Sequence, residues 1–348
     1  MTKVSVAVCT YNGERYLQEQ LESLAAQRHV PHELVVCDDR SSDGTVGMLE
    51  RFAARAPFPV RIDVNERNLG TTKNFELAIS RCGGDLIALC DQDDHWYPDK
   101  IHEAVRSFER NEDVGYVFSD ADLMDENSQA LDRRLWDAVG FFEARRRAAR
   151  DGRLLPLLVV YTFVTGTAMT FRADLRELVL PIPHGWIHDA WIALLSSFVR
   201  PYLMQDEPML RYRIHSAQEI GVPTSVMPDD TGFQKWKVRF QQAPEKVSLK
   251  KADLHRQRRR TQSMLYEEAA ARIEERARSY ADETATVLQP LATEALRDLH
   301  DRARHLRVRG SLPDARIARI GPIAGELRSR RYGRYSAGVL SALQDFVS

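Results

Sequence analysis

The chain has 348 residues, 43% hydrophobic and 28% charged, and its 49 basic and 50 acidic side chains leave a net charge of −1. At roughly 150 residues per domain, this length predicts about two domains. A near-neutral balance argues against a protein whose main task is gripping nucleic acid. No apolar run approaches the ~18 residues of a membrane-spanning helix, and the first residues alternate in character rather than forming a signal-peptide hydrophobic stretch. Cys9, Cys37, Cys82 and Cys90 show no Cys-x-x-Cys spacing, so reduced core thiols and a cytoplasmic setting are expected.

In chain order, Val4–Thr10 is a β-branched run that predicts a strand. Glu14–Gln27 places Leu17, Leu21, Leu24 and Ala25 at helical spacing. Glu33–Cys37 predicts a second strand, closed by Asp38, Asp39 and the turn-rich Arg40–Gly44. A helix over Thr45–Arg55, a strand over Val60–Val64 and a helix over Thr72–Arg81 follow, and Gly83-Gly84 then breaks the chain before strand Leu86–Cys90. Pro98–Asn111 predicts a helix with proline in its first turn, and Gly115–Phe118 a fifth strand. This alternation predicts an α/β fold with a mostly parallel sheet flanked by helices.

From about Gln234 onward the chain is helical in pattern and rich in charge. Gly221, Pro223, Pro228, Asp229, Asp230 and Gly232 predict a linker, dividing the chain into a domain over 1–228 and a helical C-terminal region over 229–348.

Open α/β sheets bind ligands at the carboxyl ends of their strands. The unusual polar residues gather there: Thr10-Tyr11-Asn12, Asp38-Asp39 and Asp91-Gln92-Asp93-Asp94. Three carboxylates in four residues repel one another unless a positive charge offsets them. A divalent cation whose shell is completed by a diphosphate would do so. The plainer alternative is helix capping by Asp94 with exposed acidic neighbours. Neither a P-loop nor a strand-linked Gly-x-Gly-x-x-Gly is present, so a nucleotide must be held by other means. Asp39 could accept a hydrogen bond from a base imide or a ribose hydroxyl, or could open an Asx turn.

Val6–Asn12, Leu34–Thr45, Asn68-Leu69-Gly70 and Asp91-Gln92-Asp93-Asp94-x-Trp96-x-Pro98, in that order, resemble the family 2 glycosyltransferases. These are inverting enzymes of the Rossmann-like GT-A fold that use nucleotide-diphosphate sugars. Val164–Met169 resembles the family's small-residue strand beneath the acceptor site, and Ile187–Trp191 the segment that supplies the catalytic base. Arg211–His215 is similar to the Tyr-Arg-x-His segment of rhamnosyltransferase-like members, which often have Asn where this chain has Gln218.

The resemblance implies Mg²⁺ or Mn²⁺, a dTDP- or UDP-sugar donor and a glycan or lipid-linked acceptor. Thr10 and Asn12 would line the nucleotide pocket, Asp39 would contact the base, and Asn68 and Gly70 would shape the loop over base or ribose. Asp91 and Gln92 would approach the donor. Asp93 would bind the cation, a role Asp94 could share, and His215 would be a further metal or diphosphate contact. Asp189 would be the general base. Trp186 and His188 would face the acceptor, with core packing as the alternative for the aromatics.

Together these imply transfer of a sugar, rhamnose first, to a polysaccharide or glycolipid precursor. The alternatives are an inactive GT-A scaffold in a glycan-assembly complex and a sugar nucleotidyltransferase, the latter disfavoured by the lack of a Gly-rich, basic loop after the first strand. Between Arg302 and Arg334, ten arginines face two acids, and Ile317, Ile320, Ile323 and Leu327 recur at helix-like spacing, although Gly310, Gly321 and Pro322 would interrupt a single helix. A peripheral contact with anionic lipid at the inner face of the plasma membrane is one expectation. A helical appendage packed on the first domain or on a second copy of the chain is the other.

Overall fold

The computed structural model describes residues 2–216, 218, 251–284 and 289–347; the expected linker and the boundary at 228/229 lie outside the described residues. Strands β1 (Val4–Thr10), β2 (Glu33–Asp38), β3 (Val60–Val64) and β4 (Leu86–Cys90) alternate with helices α1 (Leu17–Ala25), α2 (Thr45–Ala53) and α3 (Thr71–Arg81). They form a parallel block in the order β3-β2-β1-β4. Every residue of β1 and β4 is buried, as expected of central strands covered on both faces. Helix α1 buries Leu17, Gln20, Leu21 and Leu24, one stripe at helical spacing.

Past β4 the sheet becomes mixed. Strands β5 (His95–Trp96), β6 (Tyr116–Met124), β7 (Ala130–Arg134), β8 (Met169–Arg172) and β9 (Tyr202–Arg213) extend it in the order β4-β8-β6-β9-β5, with β7 beside β6. Here β8 runs antiparallel to both β4 and β6, and β9 runs parallel to β6. The parallel sheet expected from the first 125 residues therefore describes only one half. The other half is built from strands that return through longer connections.

Helix α4 (Lys100–Arg110) begins two residues after Pro98 rather than at it, because Trp96 pairs with Leu210 and the Tyr97 N–H donates to the Met209 carbonyl. Short helices α5 (Leu135–Ala138), α6 (Glu143–Arg150), α7 (Leu154–Leu158) and α8 (Arg176–Val179) precede α9 (His188–Val199), whose sequence is almost wholly buried.

The C-terminal helices are α10 (Lys251–Thr284), α11 (Ala292–Gly310), α12 (Arg316–Arg328), α13 (Arg331–Tyr335) and α14 (Val339–Val347). Tyr266, Ala269, Ala270 and Ile273 of α10 and Leu299 and Ala303 of α11 join the same apolar core as α7 and α9. A second, small cluster of Leu312, Ile323, Tyr332 and Ala342 lies under α12–α14. Contrary to expectation, Gly321 and Pro322 sit inside α12. Pro322 is exposed, so the helix carbonyl that its missing N–H leaves without a partner lies on the solvent side. Among the described residues no helix is long and apolar enough to cross a membrane.

The sheet's entry edge tolerates no added volume at Gly84. A Cβ there would lie 2.8 Å from the Lys3 carbonyl oxygen and from the Ser5 backbone nitrogen. Gly84→Ala should cost about 1–3 kcal/mol, read as a lower urea midpoint with an unchanged slope.

Candidate functional site

The carboxyl ends of β1, β2 and β4 meet in one cleft, and side-chain hydrogen bonds fix the loops that leave them. Asp38 is buried and opens the turn after β2: Oδ1 accepts from the Ser41 N–H at 2.8 Å, and Oδ2 accepts from the Ser41 hydroxyl at 2.6 Å and from the Thr10 hydroxyl at 2.7 Å. The turn role thus falls to Asp38, not Asp39, and the Thr10 hydroxyl is committed to it. Asp39 holds the next loop instead, accepting from the N–H groups of Leu69 and Gly70 at 2.8 Å each and from Asn65 Nδ2 at 2.9 Å. Asn68 donates to the Asp39 carbonyl, and Gly70 adopts φ +81° just before α3, a conformation natural to glycine. Across the cleft, Asn12 Oδ1 accepts from the Ser42 N–H at 2.8 Å. Gln92 pairs reciprocally with Tyr11, taking its N–H at 2.9 Å and giving to its carbonyl at 3.1 Å.

Four carboxylates crowd the cleft floor. Burial, then the charges of Asp94, Asp93 and Asp189, hold the Asp91 carboxyl well above the usual carboxylate range. Asp94 is fully buried, and burial followed by the Asp93 charge raises it too. It caps no helix: its Oδ1 accepts from the Arg213 N–H at 2.9 Å and so joins the β4–β5 turn to β9. Asp93 instead faces His215, with Oδ2 2.9 Å from Nε2, and the His215 ring packs on Tyr16 at 4.8 Å. Among the described residues no three His, Cys, Asp or Glu side chains form a closed metal site. A carboxylate and an imidazole are a donor set that Mg²⁺ or Mn²⁺ can take, since these ions use one or two protein ligands and fill the rest of the shell from phosphates and water.

Asp189 is the second residue of α9, not its cap, which is Ile187. Its oxygens accept from the Gly166 N–H at 3.0 Å and the Ala190 N–H at 2.6 Å. Burial outweighs both and pushes its pKa up to about 6. Gly166 lies in a short 3₁₀ turn before β8, so close to α9 that a Cβ on it would come within 2.7 Å of His188 Nε2.

The acceptor-facing residues expected from sequence are packed inward. His188 stacks on Phe75 at 4.0 Å, and burial pushes its pKa down to about 3, so the ring is neutral. Trp186 sits between Trp191 and Tyr266, each at 5.6 Å, at the seam with α10. Trp96 is buried, with Lys100 over its ring at 4.6 Å. These contacts make His188 and Trp96 packing residues, while Trp186 stays half-buried at that seam. A separate cavity of about 570 Å³ opens beside β6 and β7, lined in part by Tyr97, Asp122, Arg134 and Arg211, and contains none of the four clustered carboxylates.

Arg213, the arginine of the Tyr-Arg-x-His segment, is a residue to which the sequence alone gave no role of its own. Fully buried, it donates to the Asp93 carbonyl at 2.6 Å, the Ser128 hydroxyl at 2.8 Å and Glu19 at 2.6 Å, and lies over Tyr16 at 4.6 Å. A single arginine in a strand has no periodic signature; the signal was an acidic cluster lacking a nearby counter-charge. Arg213→Ala leaves the Asp93 carbonyl without the guanidinium and Glu19 with only the Ser128 hydroxyl as a hydrogen-bond donor. It should cost about 1.5–3 kcal/mol, measured by thermal or urea unfolding, and Arg213→Lys should not restore it, since an ammonium cannot reproduce the fork.

A family model described as glycosyl transferase family 2 matches residues 5–179, about half of the chain. An uncharacterized glycosyltransferase of Nostoc sp. is 27% identical over 223 residues, 62% of this chain and 66% of that protein. The putative teichuronic acid biosynthesis glycosyltransferase TuaG of Bacillus subtilis is 28% identical over 212 residues, 61% of this chain and 79% of its own. The dTDP-rhamnosyl transferase RfbG of Shigella flexneri is 38% identical over 103 residues, 28% of this chain and 35% of its own. The chain thus spans less than two thirds of the length of several of its relatives.

Among solved structures, S. aureus TarS 1-349 in complex with UDP-GlcNAc aligns with TM-score 0.51 and 16% identity over 96% of this chain and 89% of that one. The mannosyltransferase PcManGT from Pyrobaculum calidifontis, in complex with GDP-Man and Mn²⁺, aligns with TM-score 0.50 and 17% identity over 95% and 75%. At these identities the likeness is one of fold, that of the GT-A glycosyltransferases.

Proposed function

The chain belongs to glycosyl transferase family 2, and from that premise we propose that it moves a sugar, with inversion, from a nucleotide-diphosphate sugar to an acceptor hydroxyl. The observation that carries this reading is Asp189. It is a carboxyl raised to about 6, fixed by two backbone N–H groups and close enough to Asp91 for their charges to interact. A base with a pKa just below neutrality is ionised at working pH yet basic enough to accept a hydroxyl proton.

In this reading the diphosphate lies toward Asp93 and His215. The acceptor oxygen attacks the anomeric carbon from the opposite side as its proton passes to Asp189, and the bond from that carbon to the phosphate oxygen breaks in line. One displacement inverts the centre and releases the nucleoside diphosphate. A divalent cation held by Asp93 and His215 would supply positive charge to the departing diphosphate. Asp39, with three of about four acceptor positions filled, keeps one for a base imide or ribose hydroxyl. Thr10, Asn12, Gln92, Asn68 and Gly70 act by fixing the loops of that pocket.

The name of RfbG favours a dTDP-rhamnose donor, and that of TuaG a polysaccharide acceptor. TarS and PcManGT, crystallised with UDP-GlcNAc and with GDP-Man and Mn²⁺, support a nucleotide-sugar donor and a divalent cation.

Asp189→Asn should keep donor binding, followed by thermal shift, and lower turnover about 10²–10⁴-fold; near-normal turnover removes Asp189 as the base. Because the ionised form is the active one and its pKa is raised to about 6, turnover should fall as pH drops through about 6, not near the ordinary carboxylate value of about 4. Chelation should abolish transfer and Mn²⁺ or Mg²⁺ should restore it. In Asp93→Ala and His215→Ala, half-maximal activity should need at least about tenfold more metal, in line with lost ligands.

A further inference from the structure

Helices α12 and α14 pack on each other with their polarity reversed. In α12, Arg319 and Glu326 are buried while Ile317, 83% exposed, and Ile320 face outward. In α14, Asp345 is buried while Val339, Leu340, Leu343 and Val347 face outward. The interior they cover joins a small apolar cluster, to which α12 gives Ile323 and α14 gives Ala342, to a polar lattice. Glu326 accepts from Arg331 at 2.9 Å and contacts His305 at 2.8 Å, Asp345 accepts from the Tyr332 hydroxyl and pairs with Arg259, both at 2.8 Å, and Arg319 donates to the carbonyls of Pro313, Asp314 and Asp345. A helix in water turns its apolar face inward; these two turn most of their large apolar side chains outward.

We propose that the outer faces of α12 and α14 form a docking surface for an anionic lipid bilayer, in which the apolar side chains enter the headgroup–acyl boundary and the surrounding arginines meet the headgroups. Charge selects this occupant. Both carboxylates of the two helices are buried, so their exposed charge is Arg316 and Arg328; beside them lie Arg330 and Asp314, the latter paired with Arg256. A second copy of the same face would set these arginines against one another, whereas an anionic membrane complements them. The expectation from sequence had placed Ile323 in this stripe; it is buried, and α14 supplies four apolar positions instead. This surface does not depend on the transfer reaction.

The test is flotation of the full chain, without donor, on vesicles of phosphatidylcholine alone and of phosphatidylcholine mixed with phosphatidylglycerol. The protein should float with the anionic vesicles. The triple variant Ile317→Ser, Leu340→Ser, Leu343→Ser should lose about tenfold or more of that binding with an unchanged circular dichroism spectrum and melting temperature. Arg316→Gln, Arg328→Gln and Arg330→Gln together should reduce it to the level seen on neutral vesicles. Absence of wild-type binding to anionic vesicles, or equal binding of the triple serine variant, overturns the proposal. A concentration-dependent dimer in light scattering that the serine substitutions abolish also overturns it and assigns the face to a second copy.

Discussion

Like-charge repulsion governs the centre of this structure. Asp91, Asp93, Asp94 and Asp189 share one cleft, and burial first, then their mutual charge, raises the pKa values of Asp91 and Asp94. Such a group of carboxylates stays together only if fixed dipoles and cations hold the chain around them. The Arg213 amide fixes Asp94, its guanidinium fixes the Asp93 backbone, and the Gly166 and Ala190 amides fix Asp189. The length of β9 follows from the same requirement: it runs along β6 to its last residue, Met124, where Arg213 meets the β4–β5 turn.

The parallel half of the fold was legible because each of its elements carries its own signal. The apolar runs of β1 and β4 and the leucine stripe of α1 are local patterns, and the structure reproduces them to within a few residues at their ends. The mixed half was not, because β5, β8 and β9 are defined by partners distant in sequence. His95–Trp96 is a strand only because Leu210 and Arg211 lie beside it. The same distinction divides the site. Clustered acids and strand-end turns show in the sequence, so Asp39, Asp91 and Asp93 were singled out, and Asp189 through the family resemblance of its segment; what each of them touches does not show. Hence Asp94, read as sharing the cation with helix capping as the alternative, is a strand-to-strand tie, and of the two residues expected at the acceptor His188 is packed on Phe75 while Trp186, half-buried, lies against Trp191 and Tyr266.

The C-terminal helices divide into two physical regimes. Around α10 and α11 the chain buries alanine, isoleucine and tyrosine against α7 and α9, as one continuous core with the sheet domain. Around α12–α14 it buries arginine, glutamate, aspartate and histidine. The first regime draws its stability from removing apolar surface from water. The second draws on charge-assisted hydrogen bonds, which are directional and set a particular geometry. A single helical region can therefore be firmly joined to the catalytic domain at one end and differ in solvent preference at the other.

The Gln92–Tyr11 pair has a mechanical consequence. A side-chain amide here takes the place of a neighbouring strand, meeting both the N–H and the C=O of Tyr11 as a peptide group would. Because Gln92 lies between Asp91 and Asp93, these two hydrogen bonds tie the acid-bearing turn directly to the Tyr11–Gly13 loop, so the two walls of the cleft are joined by a side chain as well as by the sheet.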